Sequence, residues 1–127
     1  MKILSISLAI FAVTLSLASA DTTISSYHAV FSNKDFFSSN GARLKGTAAV
    51  IQQDRANFHK FFKRDGSDTD CGFFSSAANR AQIPAMLKRG GVPESLLREI
   101  DEESLWGITI MQNNNGQYYL IVNLLAG

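Results

Sequence analysis

Residues 51–62, IQQDRANFHKFF, predict an amphipathic helix whose buried face carries a charge. Apolar side chains recur every three or four residues, the spacing of one helical face, at Leu44, Ala48, Ile51, Phe58 and Phe62. Between Ile51 and Phe58 this spacing assigns a core position to Arg55, and Asp54 precedes it. We therefore predict a helix over about residues 42–62 that brings a charged pair toward the core.

The charged pair favours a structural role. Adjacent helix residues point about 100° apart, so we expect no contact between Asp54 and Arg55, and neither has an opposite charge three or four positions away. An unpaired buried charge is costly, so each should form a structural ion pair or hydrogen bonds elsewhere. For Arg55 we expect a carboxylate from residues 65–70, or from residues 99–103. The alternative is a binding pocket in which Gln52, Arg55 and His59 share an edge and Arg55 binds an anion.

The polar loop after this helix suggests two further sites. Its carboxylates, Asp65, Asp68 and Asp70, are oxygen ligands of the kind that calcium prefers, but their spacing does not follow the EF-hand pattern, so we assign no metal. Cys71, the single cysteine, precedes a predicted helix, and His59 could serve as its base. The neighbouring Asp70 disfavours a thiolate, and a lone cysteine beside GFF is typical of a small buried residue.

Three more elements follow the loop. Ser75 or Ser76 is a predicted cap for a helix that Pro84 should kink or split before the Gly90-Gly91 stop. Pro93 is predicted to open another helix. The segments WGITIMQ and QYYLIVNLL, joined by NNNG, predict a C-terminal hairpin, and residues 24–31 are a possible third strand. The fold class is therefore α+β, with helices packed on an antiparallel hairpin.

The last strand is apolar on both faces, whereas a strand with one solvated face should alternate. One face carries Tyr118, Leu120, Val122 and Leu124, and the other carries Tyr119, Ile121 and Leu125. The second face is therefore either core or an interface, and we assign Tyr119 and Ile121 to a binding surface that could support self-association.

The chain begins like a secretory precursor. Lys2 gives a positive start, residues 3–17 are mostly apolar, and Ala18-Ser19-Ala20 is a cleavage signal, so we predict a signal peptide over residues 1–20 and one domain over residues 21–127. The apolar run is short for a bilayer span, so we do not expect a membrane-embedded protein. A single cysteine excludes an internal disulfide.

Charge is balanced overall but segregated. Loss of Lys2 with the leader leaves eleven basic and eleven acidic side chains, so the net charge does not favour non-specific attraction of the whole domain to nucleic acid or to a membrane. The acidic side chains Glu94, Glu99, Asp101, Glu102 and Glu103 are expected to pair with a basic helix region that contains Arg43, Lys45, Arg55, Lys60, Lys63 and Arg64.

The sequence lacks a Gly-rich phosphate loop, a G-x-S-x-G motif and an H-E-x-x-H motif. We therefore predict a periplasmic or secreted, non-enzymatic domain that needs no cofactor and binds a protein or a small ligand outside the cytoplasm. One alternative is a small hydrolase that uses Cys71 and His59. The other is a binder of anionic envelope material through the basic helix region, at Arg43, Lys45, Lys60, Lys63 and Arg64.

Overall fold

The structure, a computed structural model, describes residues 20–66, 68–100 and 104–127. The predicted signal peptide lies outside these ranges except for Ala20. The described chain is α+β, as predicted, and forms three strands and three helices. The strands are β1 (Thr22–Val30), β2 (Leu105–Gln112) and β3 (Tyr118–Ala126), and the helices are α1 (Thr47–His59), α2 (Ala77–Ala81) and α3 (Ile83–Arg89).

The strands form one antiparallel sheet in the order β1-β2-β3. The predicted hairpin is confirmed: the Asn113 N–H donates to the Gln117 carbonyl (2.9 Å), and Gly116 takes the positive φ that this turn requires (+77°). The possible strand at residues 24–31 is also confirmed, as β1. It pairs with β2, so the first and second strands of the sheet are joined by most of the chain.

Helix α1 is shorter than the predicted helix of residues 42–62. It begins after Gly46, because the φ of +87° at that residue is incompatible with a right-handed helix, and it ends at His59. Beyond it, Phe62 has a φ of +55° and its side chain is 76% exposed. The prediction that Phe62 lies on the buried helical face was therefore wrong, because the chain leaves the helix before that residue.

The split at Pro84 is confirmed. The Ser76 hydroxyl caps α2 by accepting from the Asn79 N–H (3.3 Å), and α3 starts at Ile83 with Pro84 in its first turn, where the missing N–H costs nothing. The predicted helix after Pro93 is a 3-10 helix, Glu94–Arg98. Shorter 3-10 turns also occur at Asn33–Phe36 and Phe73–Ser75.

The helices cover one face of the sheet. The buried core combines side chains from alternate strand positions with the inner faces of α1 and α3, including Tyr27, Ile108, Ile110, Leu120, Ile51 and Met86. The intervening strand positions face away from the helices. Within the described residues, no helix has the length and apolar character that crossing a bilayer requires.

Candidate functional site

Arg55 is completely buried, as predicted, but its partners differ from those expected. Its Nε donates to the Asp54 carboxylate (2.8 Å), and its Nη1 donates to the carbonyl of Thr69 (3.0 Å). The expectation that these neighbours would not pair was wrong, because the long arginine side chain turns back to the residue before it. The distant partner lies in the predicted loop, but it is a main-chain carbonyl rather than a carboxylate.

Aromatic rings complete the surroundings of the guanidinium. Its carbon lies 3.9 Å from the Tyr27 ring centre and 4.5 Å from that of Phe58, distances typical of cation–π contacts. Nη2 and the Tyr27 hydroxyl have no hydrogen-bond partner among the described residues. Burial raises the pKa of the Asp54 carboxyl, and the positive charge of Arg55, whose Nε lies 2.8 Å from Asp54 Oδ2, opposes that rise.

Arg55 thereby joins α1 to the strand at the sheet edge. Thr69, its carbonyl partner, also bonds β1: its N–H donates to the His28 carbonyl (3.0 Å), and its hydroxyl accepts from the His28 N–H (2.8 Å). Asp68 accepts from the Val30 N–H (2.9 Å). The loop therefore covers the free edge of β1, and Arg55 fastens that loop to the helix.

The predicted anion pocket of Gln52, Arg55 and His59 has no open wall at Arg55, since all of that side chain is enclosed. The His59 side chain is 7% exposed, and its Nε2 lies 3.7 Å from Asp70 Oδ1. Burial lowers the pKa of His59, and the positive charge of Arg55 lowers it further. An anion would have to displace Asp54 to reach the guanidinium.

The three loop carboxylates point to different partners. Asp65 binds Lys34 (2.9 Å), Asp68 accepts from two backbone N–H groups, and Asp70 accepts from the Gly72 N–H (2.8 Å). No group of three His, Cys, Asp or Glu side chains in the described ranges is placed to hold a metal ion. The loop carboxylates thus stabilise the fold.

Cys71 is half-buried against the core. Burial raises the pKa of its thiol, opposed mainly by the backbone N–H of Phe74. No hydrogen bond joins Cys71 to His59 in the described part of the chain. The arrangement therefore favours an unreactive protonated thiol rather than a nucleophile.

The outer face of the hairpin carries an apolar surface. Tyr119 is paired with Met111, and Ile121 with Thr109, so these side chains share the face that the helices leave open. Register shifts by one residue near the end of β3, and the Leu125 side chain lies against the α-carbon of Gly107, where an added Cβ would be 3.1 Å away. We call Met111, Tyr119, Ile121 and Leu125 the outer patch.

Two members of the outer patch are well exposed, Ile121 at 38% and Leu125 at 50%. The Tyr119 hydroxyl reaches across the sheet to donate to Asp21 Oδ2 (2.6 Å). Sequence reasoning identified Tyr119, Ile121 and Leu125 but missed Met111, because only the strand register shows that it adjoins them.

The exposed basic residues do not form a helical face. Helix α1 contains one Lys or Arg, and this is the buried Arg55. Arg43 and Lys45 precede the helix, and Lys60, Lys63 and Arg64 follow it. Neither Glu94 nor Glu99 is paired with these cations in the described structure, and residues 101–103 lie outside it.

A surface cavity of about 560 Å³ lies between α1, α3 and the Glu94–Arg98 turn. Its walls are mainly small apolar side chains, with Lys88 and Glu94 among its lining. None of the residues predicted for binding lines it.

Comparison with known proteins gives no match: no family model, curated protein sequence or solved structure is significantly similar to this chain.

Proposed function

We propose that the protein is an exported, non-enzymatic interaction domain that binds a protein or a second copy of itself through the outer patch. The supporting observation is an apolar surface on an open sheet face. Apolar side chains that stay exposed on a strand face contribute little to the stability of the folded chain. When a partner covers them, their removal from water contributes favourable free energy to binding.

The hydrolase alternative has weaker support. A nucleophilic cysteine needs a lowered pKa and a base within hydrogen-bonding reach, whereas burial raises the pKa of Cys71. Alkylation with iodoacetamide separates the alternatives. We expect Cys71 to react only when the protein is unfolded, and rapid reaction of the folded protein would favour the hydrolase.

The test of the interaction surface is Ile121→Asp. A charge on the outer patch should abolish association, measured as molar mass by light scattering over a range of concentrations, and should leave the far-UV circular dichroism unchanged. Asn115→Asp, in the hairpin turn, introduces the same charge away from the patch and should have no effect.

A photo-crosslinking amino acid at position 121 tests for a different partner in the native host. We expect one dominant crosslinked product that Leu125→Asp removes. If Ile121→Asp unfolds a monomeric protein, the outer patch belongs to the folding core and the proposal fails.

A further inference from the structure

Phe62 occupies a backbone conformation that favours glycine. Its φ of +55° lies in the left-handed region, where a Cβ crowds the backbone, and helices commonly end with glycine in this conformation. The turn is held by the Lys63 N–H, which donates to the Asn57 carbonyl in α1 (2.7 Å). The Phe62 ring does not compensate by packing, since the side chain is 76% exposed. A strained, exposed aromatic residue therefore points to a role outside the fold.

One cationic side chain approaches each of the Phe61 and Phe62 rings. Lys60 Nζ lies 5.2 Å from the centre of the Phe61 ring, which is 37% exposed, and the Arg64 guanidinium carbon lies 5.9 Å from that of Phe62. Neither Lys60 nor Lys63 forms an ion pair with a carboxylate of the described residues. We call residues 60–64 the basic tip.

A cavity of about 160 Å³ adjoins the basic tip. Its lining includes the cations Lys34 and Lys63, the hydroxyl residues Ser38 and Ser39, and Phe61. The Ser38 hydroxyl already donates to Asn40 Oδ1, so Ser39 is the hydroxyl residue left to meet a ligand. Lys34 is already paired with Asp65 (2.9 Å), so Lys63 is the lining cation left to meet a ligand. The Lys63 ammonium and the Ser39 hydroxyl together suit a phosphate group.

We propose that the basic tip docks on an anionic lipid surface, with Phe62 inserted among the headgroups and Lys60 and Lys63 bound to their phosphates. Charge complementarity favours an anionic partner. The Phe62 ring favours a lipid surface over a polymer, because it is 76% exposed and does not line the adjoining cavity, whereas a fluid interface closes around an inserted ring. This proposal concerns a different surface from the outer patch and does not depend on its function.

The test is co-sedimentation with vesicles of equal parts phosphatidylglycerol and phosphatidylcholine. The protein is expressed from the full-length gene and is used in whichever form the host produces. Phe62→Asn keeps a residue that tolerates positive φ but removes the ring. We expect it to weaken partitioning about tenfold, the contribution of one buried aromatic side chain, without lowering the melting temperature. A lower melting temperature with unchanged partitioning would mean that the ring serves the fold.

Charge variants test the electrostatic part. Lys60→Gln with Lys63→Gln should weaken partitioning roughly 25-fold, since each charge at an anionic surface contributes about fivefold. The matched control, Lys45→Gln with Lys88→Gln, changes the net charge equally at exposed positions outside the basic tip. Equal losses in the two double variants would overturn the proposal.

Phe62→Trp reports insertion directly. The natural Trp106 is buried and gives a constant background, so a blue shift of emission on adding vesicles should come from position 62. We expect this shift with phosphatidylglycerol vesicles and not with pure phosphatidylcholine. Retention on dextran sulfate without binding to vesicles would assign the basic tip to a soluble anionic polymer. The absence of an emission shift would mean that the ring does not insert. Either result would refute the lipid proposal.

Discussion

Among the completely buried residues of the described chain, Arg55 has the largest volume. A buried guanidinium is tolerated where its charge and its donors are met, and here a carboxylate, a carbonyl and two aromatic rings meet most of them. Both direct partners serve the fold, since Thr69 belongs to the loop that covers β1. We therefore interpret Arg55 as a structural residue.

Arg55→Ala should destabilise the protein by on the order of 3–5 kcal/mol, because it leaves Asp54 buried without its counter-charge. Urea denaturation gives the free energy of unfolding. Lys60→Ala removes a positive charge at an exposed position and should change it by less than about 0.5 kcal/mol. A folded Arg55→Ala protein with normal stability and lost partner binding would place Arg55 in the binding site instead.

Asp35 should make stability depend on pH. Burial raises the pKa of its carboxyl from 3.8 to about 6, opposed by hydrogen bonds from Asn57 (2.8 Å) and the Ser32 N–H (3.0 Å). The folded chain therefore holds this proton more tightly than the unfolded chain. Its contribution to stability rises by about 1 kcal/mol as the pH falls from 7 to 5.

The measurement is the difference between the wild type and Asp35→Asn in free energy of unfolding across pH 5–7. The variant should lose the part of the pH dependence that Asp35 supplies. The lowered pKa of His59 acts in the opposite sense, because the unfolded chain binds that proton better, and this contribution is common to both proteins. Parallel curves would show that Asp35 has an ordinary pKa.

At the scale of elements, Gly90 sets how closely α3 approaches β3. A Cβ at this position would lie 1.9 Å from the Leu120 carbonyl oxygen, although the backbone φ of −78° suits any residue. Gly90→Ala should therefore separate the helix from the strand and destabilise the protein by about 1–3 kcal/mol. Differential scanning calorimetry measures this loss.

Gly66→Ala is the matched control, since nothing lies within 4 Å of the added Cβ and no positive φ is involved. It should leave the melting temperature unchanged or slightly raised. Equal melting temperatures for Gly90→Ala and the wild type would mean that the helix and strand can move apart without cost.

Local patterns predicted those elements whose boundaries depend on nearby residues. The hairpin follows from its turn residues, and the break at Pro84 follows from the missing N–H of proline. The helix predicted for residues 42–62 extends too far at both ends, because the apolar spacing continues past Gly46 and His59. Positive φ at Gly46 prevents the helix from starting earlier, and after His59 the chain turns toward the positive φ of Phe62. Only the glycine could have been recognised from the sequence.

The candidate site was predictable in part for the same reason. Burial of Arg55 follows from helical spacing, and the loop as its distant partner follows from the absence of partners in the helix. The partner atom is a carbonyl of Thr69, and every residue has a carbonyl, so side-chain chemistry could not identify it. Met111 joined the outer patch through strand register, which sequence spacing across the hairpin leaves open.

At the scale of the whole molecule, export remains our prediction, and intact mass tests it. Protein isolated from the envelope or medium of its native host should begin at Asp21, following cleavage after Ala20. Ala20→Leu, which places a large residue at the cleavage site, should cause a longer precursor to accumulate. A chain that retains Met1 in the exported fraction would contradict the assignment.

The order of strands has a consequence for synthesis. Strand β1 is synthesised before all three helices, yet it pairs with β2, which follows them and ends at residue 112. The pair of β1 and β2 therefore cannot form until the chain has been synthesised through residue 112, and contacts of such long sequence separation form slowly. If the predicted signal peptide directs export, the translocase would receive behind it a segment, β1, that has no partner strand until β2 has been made. A strand order that delays the pairing of β1 would thereby help to keep the chain unfolded for the export that we predict.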